Sequence, residues 1–306
     1  MYWGDKAFHT LNYELKRIFK EKIVKLSIDG GFTCPNRDGS VGTRGCIFCS
    51  ESGSGDFTSG CHVSIPNQIE MQKQLLSEKW AQCKYIAYFQ SFTSTYDTVS
   101  KLQEKYESAL ACEGVVGLAI ATRPDAITPE IVEYLKTLNQ KTFLWVELGL
   151  QTIHENSAAF IRRGYPLAVF DKAFALLQAA GIKTVVHLIA NLPGESSADF
   201  YKSIEYMAKI KPWGLKIHML HILKSTDLEN YYQLHPFEFM DADAYIELIG
   251  TALEMLPPEI VIHRITGDGK KEDLIAPRWP LNKRYVLNGV DKYFRSHHSY
   301  QGIRSL

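Results

Sequence analysis

The run Ile23-Val-Lys-Leu-Ser-Ile28 passes through Asp29 into Gly30-Gly-Phe-Thr-Cys34-Pro-Asn-Arg-Asp-Gly-Ser-Val-Gly-Thr-Arg-Gly-Cys46-Ile-Phe-Cys49. The first six residues, rich in β-branched side chains, predict a strand, and the Gly- and Pro-containing stretch after it predicts a loop. Similar β-rich runs return at Tyr85–Phe89, Val115–Ala121, Thr142–Leu148, Thr184–Leu188 and Leu215–Leu220, mostly about thirty residues apart. Helical periodicity fills the gaps at Pro66–Trp80, Val99–Cys112, Pro129–Leu138, Ala168–Ala180 and Ala198–Ile210. Thr128 before Pro129 and Ser196 paired with Asp199 mark two helix starts, and Gly181 marks a helix end. Six strand–helix units joined by right-handed crossovers predict an α/β fold with a parallel sheet, either open or curled into a barrel.

In both arrangements ligands meet the carboxyl ends of the strands. The cysteine loop follows the first strand and so belongs to that end. Polar turns follow the next four strands: Gln90-Ser-Phe-Thr-Ser-Thr95, Ala121-Thr-Arg123-Pro-Asp125, Glu147-Leu-Gly-Leu-Gln151 and His187-Leu-Ile-Ala-Asn191-Leu-Pro-Gly194-Glu195. Period-two alternation groups Phe143, Trp145 and Glu147 on one face, and Val185, His187, Ile189 and Asn191 on one face. It also sets Lys216 and His218 opposite Leu215, Ile217 and Met219. If the polar members point into a barrel, Glu147, His187 and His218 are candidates for substrate chemistry; otherwise they form a buried, satisfied polar network.

Cys34, Cys46 and Cys49 fall within sixteen residues. The x2 spacing lets Cys46 and Cys49 turn toward one metal, and the flexible stretch before them can bring Cys34 to the same point. A closed zinc site needs a fourth ligand, for which Cys61, His62 or a distant residue would have to serve. An iron–sulfur cluster held by three thiolates keeps one iron open to an exogenous ligand. Both remain open on the triad alone. Cys61, Cys83 and Cys112 read as buried small hydrophobes, with Cys61 near enough to the loop to allow an auxiliary role.

The chain has 306 residues, 34 Lys+Arg against 34 Asp+Glu, and a hydrophobic fraction of 45%. Disordered and collagen-like architectures are excluded by this composition. No apolar run approaches the ~20 residues of a membrane span, and Met1-Tyr-Trp-Gly-Asp-Lys lacks the order of an export signal, so a cytoplasmic protein with no membrane partner is expected. The neutral total hides an asymmetry. Residues 263–306 hold nine basic residues (Arg264, Lys270, Lys271, Arg278, Lys283, Arg284, Lys292, Arg295, Arg304) against Asp268, Glu272, Asp273 and Asp291, which leaves the rest of the chain five negative. Trp279, Tyr285, Tyr293, Phe294 and Tyr300 interleave with that charge, a mixture suited to phosphate contact and base stacking, or else to a packed cap with a solvated basic face. His297 and His298 read as part of a solvated helix. The expected organisation is an N-terminal extension (1–22), a core barrel (23–225) and a C-terminal extension (226–306) as the candidate substrate or RNA-binding region.

Taken together, the cysteine loop and the phrases Tyr88-Phe-Gln-Ser-Phe-Thr, Ala121-Thr-Arg-Pro-Asp, Glu147-Leu-Gly-Leu-Gln and Asn191-Leu-Pro-Gly-Glu resemble the radical S-adenosylmethionine (SAM) superfamily over roughly Ile23 to Leu223. They are similar to a short bacterial subgroup related to the Elongator catalytic subunit and to oxygen-independent coproporphyrinogen oxidase. Cys34-x11-Cys46-x2-Cys49 expands the commonest spacing, which separates the first two cysteines by three residues. The resemblance implies a partial (β/α)6 barrel of TIM type with a C-terminal basic extension, a [4Fe–4S] cluster on Cys34, Cys46 and Cys49, and SAM on the open iron. It implies a cofactor pocket with Phe48 near the adenine, Gln90, Ser91 and Thr93 in place of the usual methionine-binding turn, Arg123, Gln151 near the ribose, Arg163 on the SAM carboxylate, and Ile189 to Leu192, including Asn191, along the adenine. The implied chemistry is one-electron cleavage of SAM to methionine and a 5′-deoxyadenosyl radical, with the electron from a donor such as flavodoxin or ferredoxin. The implied substrate is a tRNA, modified on the 5-substituent of its wobble uridine. A small metabolite such as a porphyrin, or a non-catalytic cluster-bearing RNA-binding or redox-sensing role, are the alternatives.

Overall fold

The computed structural model describes residues 2–51, 53, 58–78, 80, 82–267 and 269–305. Helix α1 (Leu11–Phe19) precedes β1 (Ile23–Ile28). Five crossovers follow: α2 (Ile65–Ser77) to β2 (Lys84–Phe89), α3 (Val99–Leu110) to β3 (Val115–Thr122), α4 (Pro129–Lys141) to β4 (Phe143–Gln151), α5 (Glu155–Phe160) and α6 (Leu167–Ala179) to β5 (Lys183–Ala190), and α7 (Ser197–Ile210) to β6 (Gly214–Met219). Then come β7 (Ile222–Leu223), α8 (Asp227–Leu234), α9 (Ala242–Met255), β8 (Val261–Arg264), β9 (Leu274–Ala276) and α10 (Lys283–Ser296). Among the described residues one sheet has the order β1-β2-β3-β4-β5-β6-β8 with all neighbours parallel, curled into a half-barrel, and β7 and β9 make a small antiparallel pair.

The helix boundaries have local causes. Thr128 accepts from the Ile131 amide at the start of α4, and Ser196 and Asp199 form a reciprocal capping box at the start of α7. Gly181, at φ +69°, takes the left-handed turn after α6. Helix α2 stops at Ser77, short of the expected Trp80; Lys79 lies outside the described residues. The seventh parallel strand was not expected: β8 has only four residues and sits in the segment read as a C-terminal extension, yet Val261 and Ile262 pair with Gly214 and Leu215 of β6.

Alternation divides the sheet into two environments. The outward residues, among them Leu26, Phe89, Ile120, Leu148, Leu188 and Ile217, are buried under the helices. The inward residues Ile23, Ile86, Ala119, Trp145, Val185 and Val261 form a second cluster with Leu11 and Leu15, so α1 plugs the amino end of the lumen. The extreme N-terminus is held by the Ile262 amide donating to His9 O and by a Lys6–Asp291 ion pair.

The C-terminal aromatics belong to packing. Tyr293 and Phe294 are buried, and the Trp279 indole donates to Met240 O. Helix α10 approaches α9 closely because Gly250 lets the Tyr293 ring lie where a Cβ would stand, 2.4 Å from the ring. Tyr285 is exposed, with its hydroxyl on Asp243. Base stacking by the tail as a whole is therefore not what the fold presents; the basic side chains Lys271, Arg278, Lys283, Arg284, Lys292, Arg295 and Arg304 are exposed. Asp268 lies outside the described residues. His297 and His298 are exposed past the end of α10.

Candidate functional site

The carboxyl end of the half-barrel opens into a cavity of about 600 Å³. Cys34, Cys46 and Cys49 line it together with Phe48, Gln90, Thr93, Arg123, Gln151, Arg163, Ile189, Glu147, His187 and His218. Thirteen of the fifteen residues singled out from the sequence thus line one cavity. Ser91 and Asn191 do not reach it: Ser91 is buried with no partner for its hydroxyl among the described residues, and Asn191, at φ +63°, accepts from the Met240 amide.

The cysteine loop is laced by its own polar residues. Asn36 donates to Arg162 O at 2.6 Å and to Cys46 Sγ at 3.6 Å, and Arg37 donates to the carbonyls of Cys49, Ser50 and Glu51. Burial pushes the Cys49 thiol up to about 12, with Cys46 and Cys34 adding to the effect and Arg37 opposing it. Burial likewise raises Cys46, against Arg123, with Cys34 adding to the rise. Three thiols that sense one another, next to guanidinium groups and a sulfur hydrogen bond, match the donor set of a cluster held by three thiolates. Cys61 is exposed, contrary to the expected buried position, because it lies in the turn between Gly60 and α2; a Cβ on Gly31 would meet its Cβ at 3.4 Å. Cys83 and Cys112 are partly buried and donate to Trp80 O and Ser108 O.

Phe48 and Ile189 meet on an apolar cluster with Ile47, Leu192 and Leu220, which forms one side of the cavity. In the same lining, Arg123 pairs with Asp125 and stacks on the Tyr165 ring, whose other cationic neighbour is Arg163. Arg163 is 2% exposed, and its guanidinium donates to Tyr165 O, Leu150 O, Thr152 O and Glu155. Four of its five N–H groups are therefore engaged in holding the end of β4, whereas Arg162 pairs with Asp227 at 2.5 Å.

Below this level the lumen holds a polar network. Glu147 accepts from Trp145 Nε1, Tyr88 Oη and His187 Nε2, each at 2.8 Å, and from Lys216 Nζ. Lys216 also donates to Tyr88 Oη at 3.0 Å, and Lys25 lies over the Tyr88 ring. Burial opposes the charge of Glu147, but Lys216, His187 and Lys25 hold its carboxyl well below the usual range. Burial first, then Lys216, lowers His187 to about 4. His218 is lowered by burial and then by Arg264, and its Nε2 has no partner among the described residues. Tyr88 and Lys25 were not singled out from the sequence, whereas Lys216 was placed with His218 on one strand face and Arg264 and Lys283 were read as part of the basic C-terminal segment. Alternation in Ile23-Val-Lys25 and Ile86-Ala-Tyr88 carries the signal, a polar side chain in phase with the lumen face.

The comparisons with known proteins agree with this geometry. Residues 39–207 match the Radical SAM superfamily, and residues 212–296 match the Radical_SAM C-terminal domain. The chain belongs to the radical SAM superfamily. It is 44% identical to the protein YtqA of Bacillus subtilis across 97% of this chain and 92% of that one, and 33% identical to YhcC of Escherichia coli across 96% and 94%. Elongator complex protein 3 of Saccharomyces cerevisiae is 27% identical over 50% of this chain and 28% of its own length. The solved archaeal Elp3 of Methanocaldococcus infernus superposes with TM-score 0.68 at 18% identity, covering 91% of this chain and 64% of that one. The fold is thus the partial TIM-like radical SAM barrel, and this radical SAM protein is an enzyme whose cofactors are a [4Fe–4S] cluster and SAM. Among the described residues no helix is long and apolar enough to cross a membrane.

Proposed function

We propose that this enzyme modifies the 5-substituent of a tRNA wobble uridine by hydrogen abstraction in the barrel lumen. One observation carries the reading: Arg264 and Lys283, from the basic C-terminal segment, line the same cavity as Cys34, Cys46 and Cys49. A surface able to hold phosphates therefore meets the place where the reactive group is generated. The similarity to Elongator complex protein 3 supports the same substrate class.

In this reading Cys34, Cys46 and Cys49 hold the cluster, and the Phe48–Ile189 wall with Gln90, Thr93, Gln151 and Arg123 receives SAM. Bound there, the reduced cluster would supply one electron to the sulfonium of SAM, cleaving its C5′–S bond to methionine and a 5′-deoxyadenosyl radical. The chain's own part is positional. Plug helix α1 closes the lumen from below, the apolar wall excludes water from the reactive centre, and Glu147 fixes the side chains that face the substrate. A cytoplasmic location and an electron donor of flavodoxin or ferredoxin type complete the proposal, with residues 226–306 contributing the RNA contacts. Deleting the gene and digesting total tRNA tests it: mass spectrometry should show loss of a wobble-uridine derivative and build-up of its precursor, and an unchanged nucleoside profile would sink the assignment.

A further inference from the structure

The two halves of the cysteine loop are held in different ways. From Cys34 to Gly42 the loop folds on its own backbone: the Arg37 and Asp38 amides donate to Cys34 O, and the Val41 and Gly42 amides donate to Pro35 O. The arm that follows carries Cys46 and is gripped from outside. The Ile47 amide donates to Ile161 O at 3.1 Å, and the Ile47 carbonyl accepts from the Leu228 amide at 2.8 Å. Ile47, Ile161 and Leu228 are buried in one apolar cluster, so this grip is dry and sets the height of the arm.

Asp227 stands where these segments meet. It is the first residue of α8, where a carboxylate is favoured by the exposed helix amides. Its Oδ2 accepts from Arg44 Nη2 at 2.8 Å and from Arg162 Nη2 at 2.5 Å. Arg44 lies two residues before Cys46 on the arm itself. Arg162, at φ +55°, takes a left-handed conformation that is strained for a residue with a side chain. That turn presents its carbonyl to the Asn36 side-chain amide, which also donates to Cys46 Sγ. Two routes thus run from one carboxylate oxygen to one cysteine: along the chain from Arg44, and through Arg162 and Asn36 to the sulfur. Helix α8 is anchored at its root, since β7 pairs with β9 and the Lys224 amide donates to Asp273 O. An ion pair whose arginine is 70% exposed adds little to global stability, so the effect of this carboxylate is local to the arm.

We infer that Asp227 is a positioning residue for the cluster, latching the Cys46 arm to α8 through Arg44 and Arg162. This rests on the reading that Cys46 is a cluster ligand. Without the latch, an arm flanked by Gly42 and Gly45 regains conformational freedom, and its thiolate spends less time where the cluster needs it.

The test mixes the reconstituted holoenzyme anaerobically with excess bathophenanthroline, a ferrous chelator, and follows iron release by absorbance. Asp227→Asn keeps the side-chain shape and removes the charge. Iron should leave about tenfold faster, the lower end of what loss of a ligand-orienting partner costs in metal affinity, while the urea midpoint of the apoprotein moves little. Arg44→Gln/Arg162→Gln should release iron as fast, and adding Asp227→Asn to that pair should bring no further increase, because the three residues act as one latch. Should Asp227→Asn lose its near-ultraviolet circular dichroism, Arg44→Gln alone should still speed release about threefold, the size of one exposed ion pair. Release at the natural rate from a folded variant, additive effects in the triple variant, or a faster release that merely tracks a fallen urea midpoint overturns the latch. Reconstituted Cys46→Ala reports on the reading beneath it: natural iron content there removes the ligand assignment and the latch with it, whereas iron lost from Cys46→Ala beside unchanged release from Asp227→Asn removes the latch alone.

Discussion

Two storeys of the lumen, one pleat apart, have opposite characters. The lower consists of Ile23, Ile86, Trp145, Val185 and Gly214, closed by Leu11 and Leu15 of α1; the upper consists of Lys25, Tyr88, Glu147, His187 and Lys216. Each upper residue lies two positions further along its strand than a lower one, so a single step of the side-chain period converts a plug into a site. The lower storey provides rigidity through apolar burial. The upper stores unfavourable desolvation that only a complete set of partners offsets.

The most damaging way to break this contrast is Glu147→Gln, which leaves Lys216 buried beside a neutral group; stability in urea should fall by roughly 3–5 kcal/mol. The double variant Glu147→Leu/Lys216→Met should recover most of that loss, since apolar groups of similar volume can replace a buried pair. If the double variant is as unstable as the single one, the upper storey owes its stability to something other than charge pairing. In the lower storey, Leu15→Ala should cost roughly 2–5 kcal/mol by opening a cavity without changing the amount of deoxyadenosine formed per folded enzyme. A changed amount would show that the two storeys are not separable.

Acid should also distinguish them. Burial holds two cavity-lining histidines, His187 of the upper storey and His221 just past the end of β6, at about 4, below the ordinary histidine value. The unfolded chain then binds more protons than the folded one between about pH 6.5 and 4. Their contribution to stability is present above that window and lost as pH falls through it, by up to about 3 kcal/mol for each group. Urea midpoints measured across the window should fall with acid, and the fall should be smaller in His187→Phe. Smallest of all, Ser196→Ala, which removes the cap of α7 far from the lumen, should cost about 1 kcal/mol at every pH, measurable as a parallel shift of the urea midpoint.

The α/β order and the two-faced strands were legible because Val115–Ala121, Thr184–Leu188 and their counterparts each carry an unbroken β-rich run bounded by turns. Strand β8 was not, because four residues give too short a period to separate from loop. The cysteine loop announced itself by spacing, and Glu147, His187 and His218 by breaking an apolar alternation. Tyr88 and Lys25 break the same alternation, but their meaning depends on which strands are neighbours, and adjacency is a tertiary fact. The base-stacking reading of Tyr293 and Phe294 gave way because helix packing at Gly250 takes those rings into the core; composition cannot tell an aromatic that packs from one that waits for a base.

The proposed function requires one cavity to join radical generation to a tRNA wobble base. It is tested most directly by incubating the reconstituted enzyme anaerobically with SAM, dithionite and bulk tRNA from the deletion strain, and quantifying 5′-deoxyadenosine and the tRNA nucleosides together. Both deoxyadenosine and a modified wobble uridine should appear with the natural enzyme, and both should vanish in Cys46→Ala. Deoxyadenosine formed at full rate while every tRNA nucleoside stays unchanged would contradict it.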